Sequence, residues 1–208
     1  MFVVIFLLSE YYFVNEILDN MLNGMLEIEI KHRNELNQRD LDVINEIREK
    51  EFDSLRLYDK GFIELSFELW FLARMKAKIV AFGRLRTTSV QVKNEFYPIF
   101  IVQAVASVER SRGYGRSVMI SMRDYVERHN IPAIGFCEHK NVGFYTKSEW
   151  NVEEEGESRF IFQYGFENFG SVSEDIGDAI WIGEKDHTVI QYLLDSEKEK
   201  IVCFRESW

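Results

Sequence analysis

The sequence is short of residues that staple or punctuate a chain. Two of its 208 residues are cysteine, two are proline and twelve are glycine. The cysteines, Cys137 and Cys203, have no C-x-x-C spacing, which argues against common zinc sites, so no metal is expected. Two free thiols in a reducing cytoplasm are the expected state. So little proline and glycine argues against a disordered or fibrous chain. No lysine or arginine precedes Lys31, and no small-residue cleavage pattern follows the apolar start, so residues 1–14 do not read as a secretory signal. The uninterrupted apolar run, residues 1–8, is too short to cross a bilayer. Positive charge is also scarce: 25 Lys and Arg stand against 35 Asp and Glu, a net charge of −10. That balance disfavours nucleic acid as a partner and suits a cationic one.

What is present is apolar and aromatic. Hydrophobic residues make up 46% and aromatics 14%, enough for one substantial core. Residues 26–30 alternate and predict a strand; Leu36, Leu41, Ile44 and Ile47 predict a helix through Lys50. Residues 68–74 and 78–86 predict a hairpin around Met75, Lys76 and Ala77. Residues 97–108 read as a central strand buried on both faces. A helix over 117–129 stops at Asn130, Ile131 and Pro132. Then come a strand at 134–137, one or two helical turns at 141–147, and a strand pair from Trp150 to Phe166 around an acidic turn. The order predicts an α/β fold with one mixed sheet flanked by helices. Residues 1–25 form an apolar extension, 26–166 the core, and 167–208 a tail that packs on the core and lines the acceptor site. Because Met25 directly precedes the first strand, residues 1–24 are also readable as an upstream translation artefact.

The densest chemistry lies between Val105 and Ser117. Val105, Ala106 and Ser107 end the central strand, and Arg110, Ser111, Arg112, Gly113, Tyr114, Gly115, Arg116 and Ser117 lead into a helix. A strand running into a glycine-containing loop that opens a helix leaves amides unpaired at the positive end of the helix dipole, which is an anion site. Gly113 and Gly115 permit close backbone approach to phosphate. There is no G-K-[ST] of a P-loop, and Val118 stands where a dinucleotide fingerprint needs its third glycine.

This segment resembles the R/Q-x-x-G-x-G/A motif of the GCN5-related N-acetyltransferase family, matched by Arg110, Gly113 and Gly115. Residues 141–150 resemble a shortened form of that family's second segment, with Glu149 where a glycine is usual. The resemblance covers roughly residues 26–164. It implies an acyl-CoA N-acyltransferase fold whose sheet splays at its fourth and fifth strands. It implies acetyl-CoA as cofactor, its pyrophosphate on the 110–117 loop, its pantetheine along Val105 and Ser107, and Asn141 and Phe144 beside it. Tyr145 takes the place of the tyrosine that protonates the departing thiolate. A primary amine would attack directly in a ternary complex, a backbone N–H near Val105 stabilising the oxyanion. A route through Cys137 is disfavoured because no activating base is evident. The family often dimerises, so a homodimer joined through the apolar N-terminus is allowed.

Within the family the chain resembles the aminoglycoside 2′-N-acetyltransferase group along residues 101–107, 173–178 and 203–208. By position Asp175, Asp178, Glu206 and Trp208 would gather the ammonium groups of a small-molecule acceptor. One departure bears on catalysis: that group's strand-four glutamate base is Gln103 here, so Glu68, Glu138 or water would have to take the proton. Another small amine, a protein amine, or a non-catalytic acyl-CoA-binding module are the competing readings.

Overall fold

A computed structural model describes residues 26–52, 68–164, 177–195 and 197–205. β1 (Leu26–His32) is followed by α1 (Gln38–Phe52), β2 (Glu68–Met75), β3 (Lys78–Val92) and β4 (Glu95–Ser107). Then come α2 (Tyr114–His129), β5 (Ala133–Cys137), α3 (Val142–Lys147), β6 (Asn151–Glu153) and β7 (Phe160–Tyr164). β8 (Asp178–Ile182), α4 (Thr188–Leu194) and β9 (Ile201–Arg205) complete the described chain. Among the described residues no helix is long and apolar enough to cross a membrane.

Local chemistry sets most boundaries. The Asn37 side chain accepts the Asp40 N–H at 2.9 Å and caps α1, whose Leu41, Ile44 and Ile47 are buried. Asn130 closes α2 with a left-handed φ of 52°, and Pro132 lies two residues beyond. β3 runs six residues further than its apolar pattern predicts, through Thr87, Thr88 and Ser89. It turns at Lys93 and Asn94 straight into β4, with Val92 opposite Glu95. The polar residues between the two expected strands therefore form the tip of a long hairpin.

The nine strands form one mixed sheet in the order β1-β2-β3-β4-β5-β8-β6, with β9 bridging β3 and β7. β4 and β5 run parallel; the other neighbours on that path are antiparallel. α2 covers one face, where Val118, Met119, Met122 and Val126 pack on Phe71, Leu85 and Phe100. α1 covers part of the other face, over Trp70, Leu72, Phe82 and Ala106. α4 and β9 cover the rest of it, against Ile99, Ile101, Ile134 and Trp181. Within the stretch read as a tail, β8 lies inside the sheet between β5 and β6. Its register needs contact close enough that a Cβ at Gly156 would lie 2.5 Å from that of Ala179.

An ion network ties α1 to the sheet edge. Arg74 donates to Asp40 at 2.8 Å and to Glu29 at 2.6 Å, and Lys31 donates to Asp40 at 3.0 Å. Burial raises the Asp40 pKa, but hydrogen bonds from Arg74 and Lys31 outweigh it, and the carboxyl lies below its usual range.

Candidate active site

The fifth strand keeps company with β4 only briefly. Phe100 pairs with Ala133 and Ile101 with Ile134, the Phe100 N–H donating to the Pro132 carbonyl at 2.8 Å. Beyond Ile101 the two strands do not pair, while β4 stays with β3 as far as Ser107. The register with β3 slips between Phe82 and Arg84, and Ala104 takes a φ of 48°, a bulge at the point of parting. Ala104 and Ala106 belong to the α1 face, whereas Val102 and Val105 pack on the α2 face. Alternation from Ile99 and Ile101 puts Gln103 on the α1 face beside Ala104.

The loop after β4 opens a helix whose first amides are left without helical partners. Ser111 and Gly113 have left-handed φ of 64° and 79°, and Gly113 begins α2 without a side-chain cap. The first intrahelical bond is Ser117 N–H to the Gly113 carbonyl at 3.0 Å, so the amides of Tyr114, Gly115 and Arg116 have no partner within the helix. A Cβ at Gly113 would meet nothing within 4 Å, and no acid occupies the first turn of α2. The Ser107 hydroxyl braces the loop by donating to the Glu109 carbonyl at 3.0 Å. The arginines are less free than the sequence suggests. Arg110 donates to Glu51 and Arg112 to Glu109, at 2.8 and 2.9 Å. Arg116 is exposed. Ala106 is buried under α1, so it offers only its backbone to a ligand.

The second sequence motif meets the first in space. A Cβ at Gly115 would lie 3.4 Å from the Phe144 ring, which packs edge-on against Tyr145 with centroids 5.0 Å apart. Tyr145 itself packs into the cluster that holds Val102, Val105 and Tyr114. Burial first, and then nearby Cys137, push its hydroxyl up to about 12. Burial, followed by the carboxylates of Asp178 and Glu138, pushes the Cys137 thiol up to about 11. A thiol held protonated is a poor nucleophile. Asn141 is exposed just before α3.

The α1 face carries a buried polar island that no local pattern announced. Arg84 donates to Glu68 at 2.8 Å and lies over the Trp70 ring at 5.5 Å from its centroid. Arg33 approaches the other Glu68 oxygen at 3.8 Å. Gln103 is the cross-strand partner of Arg84; it is 7% exposed, and among the described residues neither polar atom of its side chain has a hydrogen-bond partner. The two acids considered as bases are both engaged: Glu68 in this island, and Glu138 at the surface with Lys140 at 2.5 Å.

Asp178 sits differently from its expected place in an acidic, ligand-gathering loop. It is 3% exposed, opposite Cys137 in β5; one oxygen accepts the Glu155 N–H and the other meets His139 Nδ1, both at 2.9 Å. Both oxygens serve the fold, and the His139 pairing joins residues too distant in sequence to be read as a motif. Asp175, Glu206 and Trp208 lie outside the described residues. Among the described residues no group of His, Cys, Asp and Glu is arranged to hold a metal.

No protein-family model and no curated protein matches the sequence. Solved structures do match. They include ElaA of Escherichia coli, at 14% identity over 77% of this chain and 100% of that one, TM-score 0.52. Another is the GNAT family N-acetyltransferase YhbS of Escherichia coli in complex with CoA, at 13% identity over 87% of this chain and 91% of that one, TM-score 0.51. A third is the aminoglycoside acetyltransferase meta-AAC0020 from an uncultured soil metagenomic sample, in complex with sisomicin, at 14% identity over 62% and 90%, TM-score 0.51. At such identity the likeness is one of fold. The fold is that of the GNAT acyl-CoA N-acyltransferases: a mixed sheet with parallel β4 and β5, flanked by helices.

Proposed function

We propose that the chain is an N-acetyltransferase that moves an acetyl group from acetyl-CoA to a primary amine by direct attack. The observation that carries this reading is the parting of β4 and β5 after Ile101, next to an α2 that begins uncapped at Gly113, with its first amides unpartnered within the helix. Those amides and the exposed Arg116 suit a diphosphate. Val105 and Ser107 offer backbone groups along the parted strand, Phe144 lies against Gly115, and Asn141 is exposed just before α3. When bound, acetyl-CoA supplies a thioester carbonyl open to attack.

Tyr145 packs on the α2 face, where burial holds its hydroxyl proton in place. In this reading the hydroxyl donates to the departing thiolate. Burial keeps the Cys137 thiol protonated, which disfavours an acyl-enzyme and supports direct attack by the amine. The acceptor enters from the α1 face, where Gln103 and Ala104 turn. An aminoglycoside acceptor would rest on Asp175, Glu206 and Trp208, because Asp178 is committed to His139 and Glu155.

Two measurements test the reading. CoA should raise the melting temperature, and acetyl-CoA with a panel of amines should release free thiol. No shift with CoA sinks the cofactor assignment. A shift without thiol release from any amine leaves a non-catalytic acyl-CoA-binding module.

A further inference from the structure

The acetyltransferase reading leaves open which amine is acetylated, and Gln103 narrows it. An attacking amine must carry a free lone pair, so an ammonium has to lose a proton first. Among the described residues, the α1 face at the parting of the strands holds no side chain free to take it. Gln103 is an amide. Glu68 is fully buried and gripped by Arg84, with Arg33 close by. Glu138 faces Lys140 at the surface. His139 is turned to Asp178, which shares the α2 face with Ile180 and Ile182. Arg86 on β3, opposite Glu68, adds a further buried cation to the island. Arg84, directly across from Gln103, disfavours a second positive charge beside it.

We infer that the acceptor is a weakly basic amine with an adjacent carbonyl, an α-amino acyl group, held by both ends of the Gln103 amide. The reading rests on the acetyltransferase assignment above. Oε1 accepts an N–H of the neutral amine, and Nε2 donates to the neighbouring carbonyl. The two buried, unpartnered atoms of Gln103 thereby gain the partners that burial demands. The amine nitrogen forms the new bond to the acetyl carbon, the carbon–sulfur bond breaks, and the proton of the attacking nitrogen leaves to water. The acceptor's own pKa then sets the rate. At pH 7.5 roughly a third of an α-amine near 7.8 is neutral, against roughly a thousandth of an aliphatic amine near 10.4.

Leucinamide and isoamylamine, which share a side chain and differ in the carboxamide, test this directly with acetyl-CoA and thiol detection. At pH 7.5 kcat/KM for leucinamide should exceed that for isoamylamine on the order of a hundredfold or more. Its pH profile should rise about tenfold per unit and level at the amine's own pKa. Gln103→Leu should lower kcat/KM for leucinamide and shrink the ratio between the amines, with the CoA melting shift unchanged. Equal or better use of isoamylamine overturns the inference. So does an inflection that stays in place when the amine is changed, or thiol release from neither amine while CoA still binds. If Gln103→Leu fails to fold, the wild-type ratio and pH profile decide alone. Absence of any CoA melting shift would instead bring down the acetyltransferase reading itself.

Discussion

The two faces of β4 treat polar groups in opposite ways. Toward α2, charge is displayed: Arg110, Arg112 and Arg116 are exposed around a loop whose useful donors are backbone amides. Toward α1, charge is interlocked: Glu68, Arg84 and Gln103 are buried between two apolar clusters. A site made of backbone amides tolerates varied side chains provided the turn is kept. A site made of buried side chains depends on each of them, because a lost partner leaves an uncompensated group in a low-dielectric setting.

Substitutions on either face can break that contrast. Gly113→Glu has the largest expected effect: it strains a φ of 79° and sets a carboxylate where a diphosphate should lie. CoA affinity, read by calorimetry, should fall on the order of a hundredfold or more, about 3 kcal/mol. Next is Glu68→Ala, which strips Arg84 of its carboxylate and should lower unfolding free energy in urea by about 3–5 kcal/mol. Tyr145→Phe should lower kcat about tenfold, near 1.4 kcal/mol, and spare CoA affinity; an unchanged kcat removes the hydroxyl from the reaction. Arg110→Ala breaks a pair whose arginine is fully solvated, and its stability should match wild type in the same urea titration. A cost equal to that of Glu68→Ala would erase the distinction between the faces.

A pH titration sharpens the same contrast between exposed and interlocked charge. The Asp40 carboxyl is held below its ordinary range in the folded chain, so the unfolded chain binds its proton first as pH falls. The stability it confers is complete above the ordinary carboxylate pKa near 3.9 and is lost as pH drops through and below that value. Arg74→Met should flatten that acid limb of the stability curve, measured by thermal melting from pH 6 to pH 2. A curve that keeps its slope would show that other carboxylates carry the dependence.

The unequal legibility of the faces has a physical cause. Residues 105–117 form a strand end, loop and helix start that are contiguous in sequence, so spacing alone displays them. Residues 141–150 are local in the same sense, and Phe144 over Gly115 joins the two motifs. The island draws on Glu68, Arg84 and Gln103, brought together by the registers of β2, β3 and β4, which no local period encodes. Asp178 misleads for the same reason: an acid at the end of a polar connection looks exposed until β8 is seen beside β5. Hydroxyl-rich Thr87, Thr88 and Ser89 hid the outer half of β3, whose pairing with β4 outweighs their polarity.

The place of β8 also sets a timetable. A ribosome releases β5 and β6 well before residue 178, and until β8 arrives the two strands present facing edges of unmet N–H and C=O groups. The gap in the sheet is closed by a strand made after both of its neighbours. For some seconds of synthesis, at about 5–20 residues per second, the nascent chain carries two unpaired strand edges that β8 will later cover.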